Sequence, residues 1–455
     1  MSALSAVTRR LPVPGGFERV AAITASLVGT QVVTAVLGLV YWTVATRRFS
    51  VSAVGLASAA TSAMTLLASV GILGLGTLLI SELAKVTIGQ RRVLVRTAVT
   101  LATMVSGVLG LLAAIVVHLV PTGGLAPVSS TPLIALLFAL GVAVTGTTMV
   151  LDQAVLVVGS GVLQLQRNAI ASATKIAFLV GLSLAGYSGG MAIYLSWTLG
   201  TLVSLPLLVR RTRGGRALAD PGPLVDWTTL HGLRRAAAGH HALNLALQAP
   251  MLLLSVVVTV VLSATENGYF ATVRLVSGFV FMVPFAIAVG LFAAAGGSER
   301  EVLVRMRFTL PLGLAASLGA DLLVWPFAGL VLRTFGSGYA SAGVTALRVI
   351  VLAGLPIVVK DHYVALRRVQ GRTGRAALVV LVGCVAEVAA AVVGARLDGI
   401  TGLSAAWVVV LAVEAGCVAA PLLRESRAVD QGEVSAEAVL LMAGSNGSPV
   451  SGSTS

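Results

Sequence analysis

Ionisable side chains inside long apolar runs are the residues of this sequence whose types and positions could do chemistry. A charge in hydrocarbon is costly, so such a residue usually faces a partner, a water-filled cavity or an ion path. Each is therefore a candidate for substrate contact, ion coupling or an interhelical pair. The set comprises Asp152, Lys175, Arg274, Asp321, Lys360, Glu387 and Glu414.

The cations of this set favour an anionic ligand. Arg274 and Lys360 lie within apolar runs, and Arg48 follows the end of the first run. Arginine offers paired donors that match phosphate oxygens, so a cationic cavity suits a phosphate diester or a pyrophosphate. Asn244 and Gln248 share one apolar run and could line the same cavity or pack between helices.

Asp152 and Lys175 lie in consecutive apolar runs at similar depth. Each is roughly 8 residues, or about 12 Å, from the predicted cytoplasmic end of its run at 1.5 Å per residue. We expect an ion pair between them, with a role in packing as open as a role in transport. For Asp321, Glu387 and Glu414 the sequence leaves structure and ion coupling equally open.

Enzyme motifs are absent from the sequence. It contains no glycine-rich phosphate loop ending in Lys-Ser/Thr and no zinc-ligand spacing. Cys384 and Cys417 fall in apolar runs, where a small buried side chain is the ordinary interpretation. We expect no catalytic residue, no metal, no cofactor and no enzymatic activity.

The elements that must hold these residues are membrane-spanning helices. Hydrophobic residues make up 57% of the 455-residue chain, charged residues 11%, and the mean hydropathy is +0.98. Apolar runs of about 20 residues are long enough to cross a hydrocarbon core about 30 Å thick. The sequence predicts an all-α integral membrane protein with twelve spans, near 20–45, 52–80, 93–119, 132–158, 167–186, 189–209, 237–262, 266–295, 308–332, 343–366, 376–394 and 400–423.

The spans divide into two lobes of six helices. Residues 20–209 and 237–423 form the lobes, a basic linker at 210–236 joins them, residues 1–19 precede them, and a Ser/Gly/Ala-rich tail at 424–455 is predicted to be disordered. Val93-Leu94-Val95-Arg96 and Val302-Leu303-Val304-Arg305 open the third span of each lobe. An even number of spans per repeat makes the lobes parallel repeats.

The distribution of basic residues sets the orientation. With both termini in the cytoplasm, 23 of the 31 Lys+Arg residues fall on the inner side, as the positive-inside rule requires. The net charge of +14 is therefore a topology signal, with membrane lipids rather than nucleic acid as the partner. The outer loops are short, which disfavours a polymerase or ligase of envelope assembly.

Four segments together resemble polysaccharide flippases of the Wzx type, in the multidrug/oligosaccharidyl-lipid/polysaccharide exporter superfamily. ATRRFSVSAVGLASAATSAMTLLASVGILGLGTLLISELAK (45–85) and TENGYFATVRLVSGFVFMVPFAIAVGLF (265–292) are similar to corresponding regions of the two family lobes. LDQAVLVVGSGVLQLQRNAIASATK (151–175) and FGSGYASAGVTALRVIVLAGLP (335–356) are similar to later segments. The resemblance covers about residues 18–423, and its weight lies in the order and spacing of these segments.

The resemblance implies a transporter of the bacterial inner (plasma) membrane. Such proteins pass an undecaprenyl-pyrophosphate-linked oligosaccharide to the outer leaflet by alternating access, for surface polysaccharides such as lipopolysaccharide or exopolysaccharide. The family's basic cavity agrees with Arg48 and Arg274, and glycan-assembly enzymes are a further class of partner. The alternative is a cation-coupled drug or metabolite antiporter of the same superfamily, which Asp152, Asp321, Glu387 and Glu414 would suit.

Overall fold

The computed structural model describes residues 33–83, 86–120, 122–158, 161–211, 225–226, 234–294 and 299–445. Every regular element in these ranges is a helix. The predicted N-terminal segment 1–19 and most of the linker 210–236 lie outside the described residues.

The described residues of the first half of the chain form seven helices and a short 3₁₀ segment. Serine and threonine N-caps begin two of them: Ser50 accepts from the Ala53 amide, and Thr87 forms a capping box with Gln90. The elements are α1 (33–48), α2 (Val51–Gly71), α3 (Leu75–Glu82), α4 (Ile88–Leu119), the 3₁₀ segment (Gly123–Ser129), α5 (Pro132–Val158), α6 (Gly161–Leu184) and α7 (Gly190–Arg211).

The predicted second span, 52–80, is not one helix. Leu73 and Gly74 adopt positive φ angles of 50° and 75°, which ends α2 and starts α3 in a new direction. A left-handed residue cannot continue a right-handed helix, and glycine adopts it without steric cost. Hydropathy does not detect such a break, because the residues on both sides of it are apolar.

In the second half, the ranges that the structure describes form six helices. They are α8 (Arg234–Val261), α9 (Ala264–Ala294), α10 (Glu299–Arg333), α11 (Ser337–Ile350), which continues through a 3₁₀ turn (Val351–Ala353) into α12 (Gly354–Val369), and α13 (Thr373–Ser445). Non-helical angles at Asp398 and Gly399 divide α13 into two limbs. The second limb runs on to Ser445 through residues whose Ala, Glu and Leu favour helix, and the disorder of the tail at 424–455 stays a prediction.

Buried apolar side chains fall into separate clusters, each drawn mainly from one half of the chain. One cluster around Leu79 and Leu94 contains only residues of the first half, and one around Leu303 and Leu366 only residues of the second. The structure therefore consists of two helical bundles, which meet chiefly where α2 packs against α8 and α9.

The outward surfaces are apolar. Phe308, Leu322 and Leu323 on α10 are each about two-thirds exposed or more, as suits contact with lipid. Eight segments of the described residues are long and apolar enough to cross a membrane. The count of twelve spans and the cytoplasmic termini remain predictions.

Candidate functional site

The two bundles meet in a seam where α2 and α9 begin. A Cβ on Gly55 of α2 would overlap the carbonyl of Ala264, and a Cβ on Gly268 of α9 would overlap the carbonyl of Val51. The Asn267 amide donates to the Gly55 carbonyl at 2.7 Å across the same contact. The helices cross this closely because neither carries a side chain at the crossing.

The seam is built from equivalent positions of the two halves. The Oγ atoms of Ser50 and Ser263 each accept a hydrogen bond from the amide three residues on, at Ala53 and Glu266. Both the serine pair and the glycine pair are 213 residues apart in sequence. Equivalent residues therefore face each other, which supports the interpretation of the two halves as parallel repeats.

Arg274 extends from α9 of the second bundle towards α2 of the first. Its Nη2 donates to Ser62 Oγ at 3.3 Å, and its buried Nε has no hydrogen-bond partner among the described residues. Arg48 is exposed, and it is the neighbouring Arg47 that bonds to the other bundle, at 2.6 Å from the Thr334 carbonyl. Of the two predicted arginines, Arg274 is the one with a hydrogen bond to the opposite bundle among the described residues.

The predicted ion pair between Asp152 and Lys175 is wrong. Asp152 of α5 instead accepts from Arg167 Nη2, and the same nitrogen bonds to Asn168. The apolar run that contains Arg167 places this residue at the cytoplasmic edge, but α6 starts six residues earlier, at Gly161. Its guanidinium consequently lies inside the bundle and reaches Asp152 first.

Lys175 lies beside this pair without joining it. Its Nζ is 3.8 Å from the centre of the Trp197 ring, a cation–π contact, and no described carboxylate lies within ion-pair distance of it. Asp152, Arg167, Lys175 and Trp197 line a cavity of about 250 Å³. Its wall comes from α1, α2, α5, α6 and α7, all in the first bundle.

The second bundle contains a different charged cluster. Lys360 of α12 lies 2.6 Å from Glu387 and 2.7 Å from Glu414, one on each limb of α13. The indole of Trp407 donates to the other oxygen of Glu387 at 2.6 Å. The sequence predicts Lys360 in a substrate cavity and the two glutamates in a charge pair or in ion coupling. The fold brings the three together, so the ammonium pairs with both carboxylates.

The remaining predicted residues are scattered. Asp321 is buried, and neither of its carboxylate oxygens has a hydrogen-bond partner among the described residues. Asn244 accepts from Arg368 at 2.6 Å within the second bundle. Gln248, on the same helix, is exposed. The structure therefore groups the candidates into an inter-bundle contact and one charged cluster per bundle.

Sequence reasoning missed Arg167, Trp197, Trp407 and Asn267. One signal was available for the first. On α6 the cavity is lined by Arg167, Ala171 and Lys175, whose four-residue spacing places them on one helix face. The tryptophans carried no comparable signal, because their partners lie on other helices.

No family model matches the chain, and no curated protein matches it. Solved structures do match in shape. The MATE multidrug transporter DinF-BH, solved in complex with a ligand, aligns with a TM-score of 0.67 and 15% identity over 92% of this chain and 96% of that one. A MOP superfamily transporter from Pyrococcus furiosus, reported with a binding pocket of reverse polarity, aligns at 0.63 and 13% over 90% and 96%.

A MATE family transporter of the same superfamily in an inward-facing conformation aligns at a TM-score of 0.61 and 13% identity, over 90% of this chain and 96% of that one. At these identities the likeness establishes the fold alone. The chain has the two-bundle fold of MOP superfamily transporters, as the resemblance in its sequence implied. The choice of a Wzx-type flippase within that superfamily stays a prediction.

Proposed function

We propose that this protein is a transporter that carries an amphipathic anion across the bacterial inner membrane by alternating access. The cargo we infer is an undecaprenyl-pyrophosphate-linked oligosaccharide moving to the outer leaflet for surface polysaccharide synthesis. Neighbouring folds are transporters by their reported names, and two bundles that meet along one seam can rock about it.

The observation that carries the proposal is the charge at the contact between the bundles. Arg274 lies there with a buried, unpartnered Nε and no described carboxylate beside it. Three of the four acidic residues that would suit a cationic drug are instead paired with cations: Asp152 with Arg167, and Glu387 and Glu414 with Lys360. An unneutralised guanidinium favours a phosphate-bearing cargo.

Alternating access would require the seam to open. Its glycine contact and the Asn267 bond hold the start of α2 against the start of α9, and a longer contact between Ser58 and Ser255 at 3.5 Å joins α2 to α8. By the charge distribution of the loops these ends face outward, so a closed seam corresponds to a protein closed to the outside. Parting the seam would expose Arg274 to the outer leaflet.

The test measures how lipid-linked sugars are distributed between the inner and outer leaflets in cells depleted of this protein. We expect an undecaprenyl-linked oligosaccharide to build up on the cytoplasmic side, to clear with the wild-type chain and to persist with Arg274→Gln. Arg333→Gln, at an exposed position at the end of α10, is the matched control and should restore clearance. Unchanged lipid-linked sugars after depletion would refute the proposal.

A second candidate function is a cation-coupled drug antiporter, favoured by the drug-transporter neighbours and by Asp321, a buried carboxylate with no described hydrogen bond. It predicts that depletion leaves lipid-linked sugars unchanged and raises sensitivity to cationic drugs. Asp321→Asn would then reproduce the sensitivity of the depleted cells. Under the flippase proposal the same variant leaves drug sensitivity at the wild-type level.

A further inference from the structure

The charged groups that line the cavity of the first bundle carry one excess positive charge among the described residues. Asp152 and Arg167 offset each other, whereas Lys175 meets only the Trp197 ring among the described residues. With Asp152 ionised, the three groups carry a net charge of +1. An uncompensated charge away from bulk water is unfavourable, so the cavity favours a ligand with one negative charge.

Three threonines of the wall present hydrogen-bond acceptors. The hydroxyls of Thr65, Thr148 and Thr201 line the cavity and donate to main-chain carbonyls of their own helices at 2.8, 2.8 and 2.9 Å. Because each hydroxyl hydrogen is already used, only oxygen lone pairs are left for a ligand. A ligand with several hydroxyl donors complements such a wall.

Two charged groups of the wall are incompletely bonded. The side chain of Arg167 is 4% exposed, and its Nε has no hydrogen-bond partner among the described residues. Oδ1 of Asp152 has none there either. Buried polar atoms without partners are rare and costly in folded proteins. A guanidinium and a carboxylate held side by side can donate to and accept from one hydroxylated acid.

The size of the cavity limits the ligand. Its volume of about 250 Å³ is below the roughly 300–1,000 Å³ typical of sites for drug-sized molecules. One sugar-sized ring is therefore the largest suitable occupant. The cavity lies on α2 beyond the seam, at Thr65, on the side of the bundle where α6 begins.

We propose that this cavity binds one hexuronic acid residue, with Lys175 and Arg167 facing its carboxylate and the threonine oxygens and Asp152 facing its hydroxyls. The inference deepens the proposed function, since the sugar would belong to the transported glycan. Binding of the free sugar acid nevertheless requires no transport.

The experiment is calorimetric titration of the purified full chain in lipid nanodiscs with glucuronate and with glucose. We expect glucuronate to bind at least about tenfold more tightly, which corresponds to one charge-assisted contact. Lys175→Gln should remove this preference and Lys175→Arg should keep it. Arg305→Gln, at a half-exposed side chain on α10 in the second bundle, should leave both affinities unchanged.

Equal affinity for the two sugars, binding of neither, or a preference that survives in Lys175→Gln would overturn the site. The two proposals fail separately. Selective glucuronate binding with unchanged lipid-linked sugars in depleted cells refutes the flippase and keeps the site. Accumulated lipid-linked sugar with no glucuronate binding refutes the site and keeps the flippase.

Discussion

Lys360 in the second bundle is buried and Lys175 in the first is half-buried, and the two lysines have opposite surroundings. Lys360 in the second bundle touches two carboxylates, whereas Lys175 in the first touches an aromatic ring and borders a cavity. With all carboxylates ionised, the cluster of Lys360, Glu387 and Glu414 has a net charge of −1. The cluster of Asp152, Arg167 and Lys175 has a net charge of +1.

The different surroundings of the two lysines indicate that the two bundles have different functions. In the second bundle the Lys360 ammonium links α12 to both limbs of α13 through its two ion pairs. The Trp407 indole donates to the second oxygen of the Glu387 carboxylate. A side chain at Gly383 would collide with Glu414, so this cluster is closely packed. In the first bundle the cations border a cavity. We infer that the second cluster holds helices together and the first is available to a ligand.

Removing the two lysines gives the largest expected contrast. Lys360→Met leaves two carboxylates without their cation and should lower the free energy of unfolding by about 3–5 kcal/mol. Lys175→Met loses a cation–π contact and should cost about 0.5–2 kcal/mol. Unfolding of both variants in mixed detergent micelles measures the difference. Equal losses would show that the two clusters do not differ in this way.

The two glutamates should differ from each other by less. Glu387 bonds to both Lys360 and Trp407, whereas one oxygen of Glu414 is buried without a partner among the described residues. Glu387→Gln should cost about 1.5–3 kcal/mol, the usual range for a bond to a charged group. Glu414→Gln removes the surplus charge and should cost less than about 1 kcal/mol. The reverse order, measured in the same assay, would assign the anchoring role to Glu414.

Asn267→Ala, at the seam between the bundles, should lower the free energy of unfolding by less than Glu387→Gln does. The substitution removes one bond to the Gly55 carbonyl, worth about 0.5–1.5 kcal/mol. The lost bond stabilises only the conformation with a closed seam. In a Ser62→Cys background, the cysteine should therefore react faster with a membrane-impermeant thiol reagent added outside when Asn267→Ala is present. An unchanged labelling rate would mean that the seam does not close the outer side.

The smallest effect is expected at the pair of Arg305 and Glu301 on α10. Both side chains are about half exposed, at 43% and 53%, and they lie one helical turn apart. Exposed pairs of this kind contribute about 0–1 kcal/mol. The free energy of unfolding of Arg305→Gln should therefore differ from that of the wild type by no more than this amount. The same variant is for this reason a suitable control in the glucuronate titration.

The sequence alone determined the features that depend on the residues of a single helix or loop, namely the positions of most helices and the predicted orientation. Apolar runs predicted most helices to within a few residues, because a helix in lipid must satisfy its own backbone bonds. The charge bias of the loops predicted an orientation, and the even number of spans predicted parallel repeats. The break at Leu73–Gly74 and the start of α6 at Gly161 were not predicted, because hydropathy registers neither backbone angles nor the residue at which a helix begins.

Only the tertiary structure decided which charges meet. Arg167 and Lys175 lie on one face of α6, and the position of α6 along α5 decides which of them meets Asp152. Lys360, Glu387 and Glu414 lie on three helical segments, and no spacing along the chain relates them. A charge inside a membrane protein is costly whatever its neighbours, so sequence identifies the residue, but its partner is set by helix packing.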